Sequence, residues 1–378
     1  MEGVRTAPTL SRKSQGCINF LKSFFKGKLG LSNLAYQSVE SFFRRQALKI
    51  VIDAMGGDFA PEAIVAGAVE AVKDLNVHIV LIGIYQRIEA ELKKFQYPAG
   101  SIELMHAPEV VDMHEPATTS IRKKKNSSIS LGIALLKEPG YDAFVSAGNT
   151  GAVVAAATVY LGMMPGVERP GIGLVIPTLN NFAFLIDVGA NTDHKAQHLL
   201  QYSLMAKVYA REVLGLEKCR IGLLNIGEEE SKGTEFQKEA HKLMDERLQE
   251  NFIGNIEANE VFSGKCDCII CDGFVGNVLI KVSEGLMESA GALLKREIRK
   301  DPLALLGALL MKSRLDHIKR YADYSEYGGA PLLGVNGIVM ISHGRSSPKA
   351  IKNAIRAAQR EIEHKIIFRM INELAGKQ

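Results

Sequence analysis

Leu185-Ile186-Asp187-Val188-Gly189-Ala190-Asn191-Thr192-Asp193-His194-Lys195 is the stretch whose reading decides the fold. The apolar run Phe182–Ile186 reads as a buried strand that stops at Asp187. Gly189 permits a tight turn, and a helix-period pattern (Leu199, Leu200, Leu204, Met205, Val208, Tyr209) begins after Lys195. A strand that ends in a glycine-bearing polar turn and feeds a helix gathers backbone N–H groups at one point, which suits an anion. One such loop alone reads as a solvated connection. The design recurs, however, at Asp53-x-x-Gly56-Gly57-Asp58, Ser146-x-Gly148-Asn149-Thr150-Gly151, Asn225-x-Gly227 and Asp272-Gly273-x-x-Gly276-Asn277.

Outward from that stretch, strands are expected at Leu48–Asp53, His78–Gly83, Ile102–His106, Ala143–Ser146, Ile172–Ile176, Arg220–Asn225, Cys268–Asp272 and Gly337–Ser342, with helical patterns between them. Pro177–Asn181 makes a hairpin of two neighbouring strands, and Val111–Ser120 reads as a polar loop. Pro61 opens the first helix, and a long helix from Pro348 closes the fold. The alternation predicts an α/β fold with a mostly parallel, doubly wound sheet. Ligands of such sheets bind at the carboxyl ends of strands, so the recurring strand ends predict one shared cleft.

Hydrophobic content of 47% and charged content of 23% over 378 residues describe a globular chain with ample core. The net charge of +4 is unevenly spread: eight Lys/Arg against two acids give residues 1–47 a net of +6 and leave the body at −2. A near-neutral body gives no support for a broad nucleic-acid-binding face. Residues 1–47 are therefore expected to be a basic, disordered extension, and residues 48–378 the folded domain. No apolar run reaches the roughly 18 residues of a membrane span, and no secretory signal opens the chain, so a cytoplasmic location is expected. Cys266, Cys268 and Cys271 lack a nearby fourth ligand and read as reduced, packed thiols rather than a metal site.

Motifs for nucleotide binding, a Gly-x-Ser-x-Gly nucleophile and a His-Glu-x-x-His metal site are all missing. Ser146 is a candidate nucleophile by position, but bonding to the following backbone is its simpler role. An enzyme with none of these must orient a substrate that is itself the nucleophile, and inorganic phosphate fits. No cofactor and no metal are expected.

Taken together, the ordered motifs resemble the bacterial phosphate acyltransferase family, PlsX. The matching segments are Asp53–Asp58 with Ala60-Pro61, Arg122-Lys123-Lys124-Lys125-Asn126-Ser127-Ser128, Ser146–Gly151, Asp187–Asn191, Gly222–Asn225, Asn251–Asn255, Asp272–Phe274, Gly276-Asn277 and Tyr327–Ala330, across about residues 48–370. The resemblance implies a fold like isopropylmalate dehydrogenase and phosphotransacetylase, and a homodimer. It implies transfer of a fatty acyl group from acyl carrier protein to inorganic phosphate. The acyl phosphate would pass to a membrane glycerol-3-phosphate acyltransferase for phospholipid synthesis.

On that footing Gly56, Gly57, Asp58, Ser146, Gly148, Asn149, Thr150, Gly151, Asp187, Gly189, Asn191, Asn225, Asp272, Gly273 and Asn277 are expected to bind phosphate or substrate. Phosphate is expected against the Gly148–Gly151 and Gly189–Asn191 turns, with Lys195 offsetting its charge and the Asn255 amide donating to the oxyanion. His194 reads as a solvated neighbour. Arg122, Lys123, Lys124 and Lys125 form an outward basic run suited to an acidic carrier protein. About residues 296–320 an amphipathic helical segment is expected, whose Leu305, Leu306, Leu309 and Leu310, flanked by Lys and Arg, suit either a dimer interface buried by its twin or, preferred because the product is a poorly soluble long-chain acyl phosphate, an anionic membrane surface on the inner face of the cell membrane. Two other readings compete: a metal- and NAD-dependent decarboxylating dehydrogenase of the same fold, and a non-catalytic membrane-associated scaffold.

Overall fold

The computed structural model describes residues 47–315 and 328–376. The extension expected over residues 1–47 thus lies outside the described residues except for Ala47, as do residues 316–320 of the amphipathic segment and Tyr327.

Among the described residues eleven strands form one sheet: β1 Leu48–Asp53, β2 Val77–Gly83, β3 Ile102–His106, β4 Ala143–Ser146, β5 Gly171–Pro177, β6 Phe182–Ile186, β7 Ile221–Leu224, β8 Phe252–Ile256, β9 Cys268–Ile270, β10 Ala330–Leu333 and β11 Ile338–Ile341. Their order is β3-β2-β1-β4-β11-β10-β5-β6-β9-β7-β8. Pairing is parallel except at three adjoining places, β11–β10, β10–β5 and β5–β6. Three reversals in a row leave the two parallel halves running in opposite senses. The carboxyl ends of β1, β4 and β11 therefore lie at one edge of the sheet, and those of β6, β9, β7 and β8 at the other. The single shared cleft expected from the sequence does not exist within one chain.

The core follows from the apolar runs. Ile50, Ile52, Ile79 and Leu81 on neighbouring parallel strands are fully buried, each stabilising the fold by about 1.5–3 kcal/mol. Helix Glu62–Asp74 packs across Pro348–Glu363, and Ala196–Glu212 packs between Glu235–Leu248 and Ile366–Leu374. Two elements depart from expectation. The loop Val111–Ser120 runs into a short helix, Ala117–Lys123, and β10 sits where no strand is expected, because Pro331 interrupts its apolar pattern.

The long helix Gly273–Ile298 projects from the body. Its only buried residues are Gly273 and Gly276, and the Pro302–Leu310 helix at its far end has none.

Candidate active site

At the β6 edge the organising group is Asp187, which is fully buried. Its Oδ1 accepts hydrogen bonds from the N–H groups of Ile172 (3.0 Å), Gly189 (3.0 Å) and Ala190 (2.9 Å), and its Oδ2 from that of Asn191 (3.1 Å). Burial pushes its carboxyl upward, against the pull of those four donors. The consequence corrects the sequence reading. The Gly189–Asn191 turn has no N–H to offer phosphate, because Asp187 takes them all.

Helix Gly273–Ile298 docks directly onto this turn. A Cβ on Gly276 would lie 1.9 Å from Asp187 O, so only glycine allows the approach. Asp272 caps the helix by accepting from Val275 N at 2.9 Å. Asn277 faces Gly189 across the same contact. His194 is not a solvated neighbour, since its side chain is only 3% exposed. Its Nε2 lies 3.0 Å from both Gly273 N and Asn191 O, and accepting from Gly273 places the ring proton on Nδ1, which is buried without a partner.

Lys195 stands at the N-cap of Ala196–Glu212 with its side chain exposed. Its backbone N–H donates to His198 Nδ1 at 3.1 Å, and His198 Nε2 in turn reaches Glu168 Oε2 at 3.2 Å. Burial lowers the His198 pKa more than Glu168 raises it, which keeps the ring neutral and able to accept. Lys195, His198, Glu168, Arg169 and Asp193 line a cavity of about 370 Å³.

Asn225 and Asn255 end β7 and β8 at this same edge. Asn255 Nδ2 donates to Glu229 O at 2.9 Å, whereas its Oδ1 is buried without a partner. One of the two amide protons expected to serve an oxyanion is therefore engaged by the chain itself, which fixes the amide's orientation. Asn225 likewise serves its own loop, donating to Lys232 O at 3.2 Å and accepting from Ile226 N at 2.8 Å.

The opposite edge repeats the design with other partners. Buried Asp53 accepts from Met55 N at 3.0 Å and from the Ser146 hydroxyl at 2.8 Å, while Ser146 Oγ accepts from Gly148 N at 3.0 Å. Ser146 is thus a bridging hydroxyl. A Cβ on Gly56 would lie 2.5 Å from both Asp53 Oδ2 and Gly148 N, which explains the glycine pair. Asp58 N donates to Gly344 O, and Gly57 lies against the same carbonyl. Asn149 caps helix Thr150–Tyr160 through Ala152 N, and its Nδ2 is in reach of the carbonyls of Asp112, Met113 and Glu115. Thr150 and Gly151 are exposed at that helix start. Phosphate cannot touch these residues and Lys195 of the same chain at once, which corrects the two-turn arrangement expected from the sequence.

The basic run is not uniform. Arg122, Lys123 and Lys125 are exposed, but Lys124 folds back onto Val110 O at 2.8 Å and the Glu115 carboxylate, which it holds at a pKa of about 2. Cys219, Cys266, Cys268 and Cys271 are free and buried, and burial pushes the Cys266 thiol up to about 12, so these are packing groups. Leu305, Leu306, Leu309 and Leu310 are between 55% and 79% exposed. Sequence reasoning missed Asp53, Glu168, Arg169 and His198 as site residues. The signal for Arg169 was faint: a charged pair directly before Pro170-Gly171 at the start of a strand.

The fold is that of a mostly parallel α/β sheet protein, and solved phosphotransacetylases share it. The EutD phosphotransacetylase from Staphylococcus aureus matches with a TM-score of 0.55 at 17% identity, over 83% of this chain and 94% of that one. A phosphotransacetylase from Streptococcus pyogenes matches with a TM-score of 0.55 at 17% identity, over 87% and 99%. Likeness at that identity shows the fold. The sequence goes further, because residues 48–369 match the family model described as "Fatty acid synthesis protein". The phosphate acyltransferase of Dictyoglomus turgidum is 45% identical over 334 residues, 87% of this chain and 99% of its own length. That of Alkaliphilus oremlandii is 46% identical over 320 residues, 85% of this chain and 95% of its own length. The chain belongs to the phosphate acyltransferase family, and it is an acyltransferase.

Proposed function

We propose that this chain forms acyl phosphate at the Lys195 edge, with acyl carrier protein as the fatty acyl donor, and so supplies phospholipid synthesis. The observation that carries the reading is the cavity in which Lys195 and Arg169 meet at the start of helix Ala196–Glu212. The leading N–H groups of a helix and two cations favour a phosphate dianion. A phosphate oxygen attacks the thioester carbonyl, the tetrahedral intermediate collapses, and the carbon–sulfur bond breaks. The phosphate's proton ends on the departing thiolate, so acyl phosphate and the free carrier thiol are the products. With its four N–H donors satisfied, Asp187 acts through the turn it holds and not on the substrate.

The opposite edge supplies the rest. Gly56, Gly57, Asp58, Ser146, Gly148, Asn149, Thr150 and Gly151 cannot reach Lys195 of their own chain, so a homodimer that sets this edge of one copy against the Lys195 edge of its partner would complete the centre. Arg122, Lys123 and Lys125 lie beside that second edge, through the Asn149 contacts to residues 112–115, and would dock the acidic carrier there. The exposed leucines of Pro302–Leu310 would rest on anionic lipid, close to a membrane glycerol-3-phosphate acyltransferase. Among the described residues no helix is long and apolar enough to cross a membrane, which suits a surface contact.

Incubation with acyl carrier protein thioester, inorganic phosphate and hydroxylamine tests the reaction. Hydroxamate that depends on phosphate is expected, and its absence with folded protein would refute the reading.

A further inference from the structure

Segment 167–170 lies over the start of helix Ala196–Glu212 as a strap fixed at several points. Glu168 N donates to Gln201 Oε1 at 3.0 Å, and Gln201 is buried. The Tyr202 hydroxyl donates to Pro170 O at 3.0 Å, and Asn191 Nδ2 donates to the same carbonyl. The Glu168 carboxylate meets His198 Nε2 at 3.2 Å. Backbone held at both ends leaves one side chain to point where the strap sends it, and Arg169 lines the cavity with Lys195. Among the described residues its guanidinium has no ion pair. The Glu168 carboxylate, by contrast, is already engaged by the imidazole. Asp193 is the other acid in the lining of the cavity.

We propose that Arg169 is the second cation of the phosphate site, gripping the phosphate with its planar guanidinium opposite the Lys195 ammonium. Two N–H groups in a fixed fork match two oxygens of a tetrahedral oxyanion, whereas lysine offers a point charge. The division of work follows: arginine orients the phosphate and lysine offsets its charge. Glu168 and His198 are positioning residues. Glu168 orients the imidazole, and the imidazole takes the Lys195 N–H, so strap and helix cap hold both cations in one frame. His198 thereby fills the third-residue place of a capping box, where glutamine serves equally well.

The inference rests on the reading of Lys195 as a phosphate cation, and the experiment keeps the two apart. Steady-state kinetics with inorganic phosphate and acyl carrier protein thioester are measured for wild type, Arg169→Ala, Arg169→Lys and Lys195→Ala, each checked for an unchanged melting temperature. Arg169→Ala is expected to raise the phosphate KM by about 10- to 100-fold and to leave the carrier KM within about two-fold. Arg169→Lys should recover only part of the loss. Inorganic phosphate alone should raise the melting temperature of wild type and not of Arg169→Ala, a readout independent of turnover. His198→Gln should keep the wild-type phosphate KM and His198→Ala should not. A folded Arg169→Ala protein with the wild-type phosphate KM and the wild-type thermal response overturns the inference. A Lys195→Ala protein with unaltered phosphate dependence overturns the underlying reading and leaves Arg169 standing.

Discussion

Asp53 and Asp187 invite comparison: both are buried aspartates at the ends of parallel strands, on opposite edges of one sheet. Asp187 binds four backbone N–H groups and no side chain, so its turn is fixed by main chain alone. Asp53 shares its oxygens between Met55 N and the Ser146 hydroxyl, which ties two strands together. Around Asp187 cations and imidazoles gather beside a cavity. Around Asp53 there are glycines, hydroxyls and an exposed helix start. The same carboxylate device thus builds a chemically charged edge and a close-packed one. The proposed use of both edges in one centre requires two copies of the chain.

The largest effect is expected at Asp187. Replacing it by alanine strands the buried Ile172 N–H and leaves the three turn donors to water, at about 1–3 kcal/mol for the buried one and less for the others, so Asp187→Ala should cost on the order of 3 kcal/mol and abolish turnover. Asp53→Ala should cost less, because the Ser146 hydroxyl among its partners can rotate to another acceptor whereas the backbone donors around Asp187 cannot. Urea unfolding of both variants measures the difference, and an equal loss at the two sites would end the view that Asp187 carries its turn alone.

Lys195→Ala should lower kcat by about 100-fold or more with an unchanged melting temperature, because the side chain is exposed and unpacked. Thr150→Glu places a repelling charge at the other edge and should also be inactive yet folded. Coexpressed, the two variants form mixed dimers in which one of the two centres is intact, so about a quarter of wild-type activity should return. Mixed dimers with no recovered activity would mean that each chain works with one edge only.

Much of this fold was legible in the sequence, because apolar runs ending at Asp, Ser or Asn mark strands by period and length. The reversal between the halves was not. It depends on β10, where Pro331 breaks the pattern, and on pairing directions that no local signal encodes. The candidate site divides in the same way. Residue types predicted an anion site, and Lys195 does line a cavity with a second cation. Hydrogen-bond partners were not readable: nothing in Asp187-Val188-Gly189-Ala190-Asn191 says that the carboxylate consumes the turn's own donors, or that Asn255 turns its amide toward Glu229. Arg169 was hidden because it precedes a strand, whereas the motif signals lie in the residues that follow strands.

The proposed membrane and carrier contacts fall one on each edge. The long helix that begins against Asp187 leads to the exposed leucines of Pro302–Leu310. Leu305→Glu with Leu309→Glu should release the protein from anionic liposomes and leave turnover of soluble substrates and the dimer intact. Cosedimentation and a sizing column check this, and a variant that still binds lipid or falls into monomers would assign these leucines to a protein interface.

The smallest effect belongs to the basic run beside the other edge. Lys124 is held by Glu115 and Val110, so its charge is largely spent, whereas Arg122, Lys123 and Lys125 face solvent. Exposed charges of this kind steer an acidic partner and add little binding energy once docked, and salt at 0.15 M screens them beyond about 8 Å. Replacing Arg122, Lys123 and Lys125 by alanine should raise the KM for the carrier substrate by a few fold, at about 0.2–0.3 kcal/mol for each exposed pair lost. Phosphate KM and kcat should stay as they are. The wild-type carrier KM should rise with salt, and that slope should flatten in the variant. Lys124→Ala alone serves as the contrast: it should disturb the Glu115 loop and the Asn149 cap rather than the salt slope. If the triple variant keeps both its carrier KM and its salt dependence, the carrier docks elsewhere, and the Lys195 edge with its two cations becomes the surface to test.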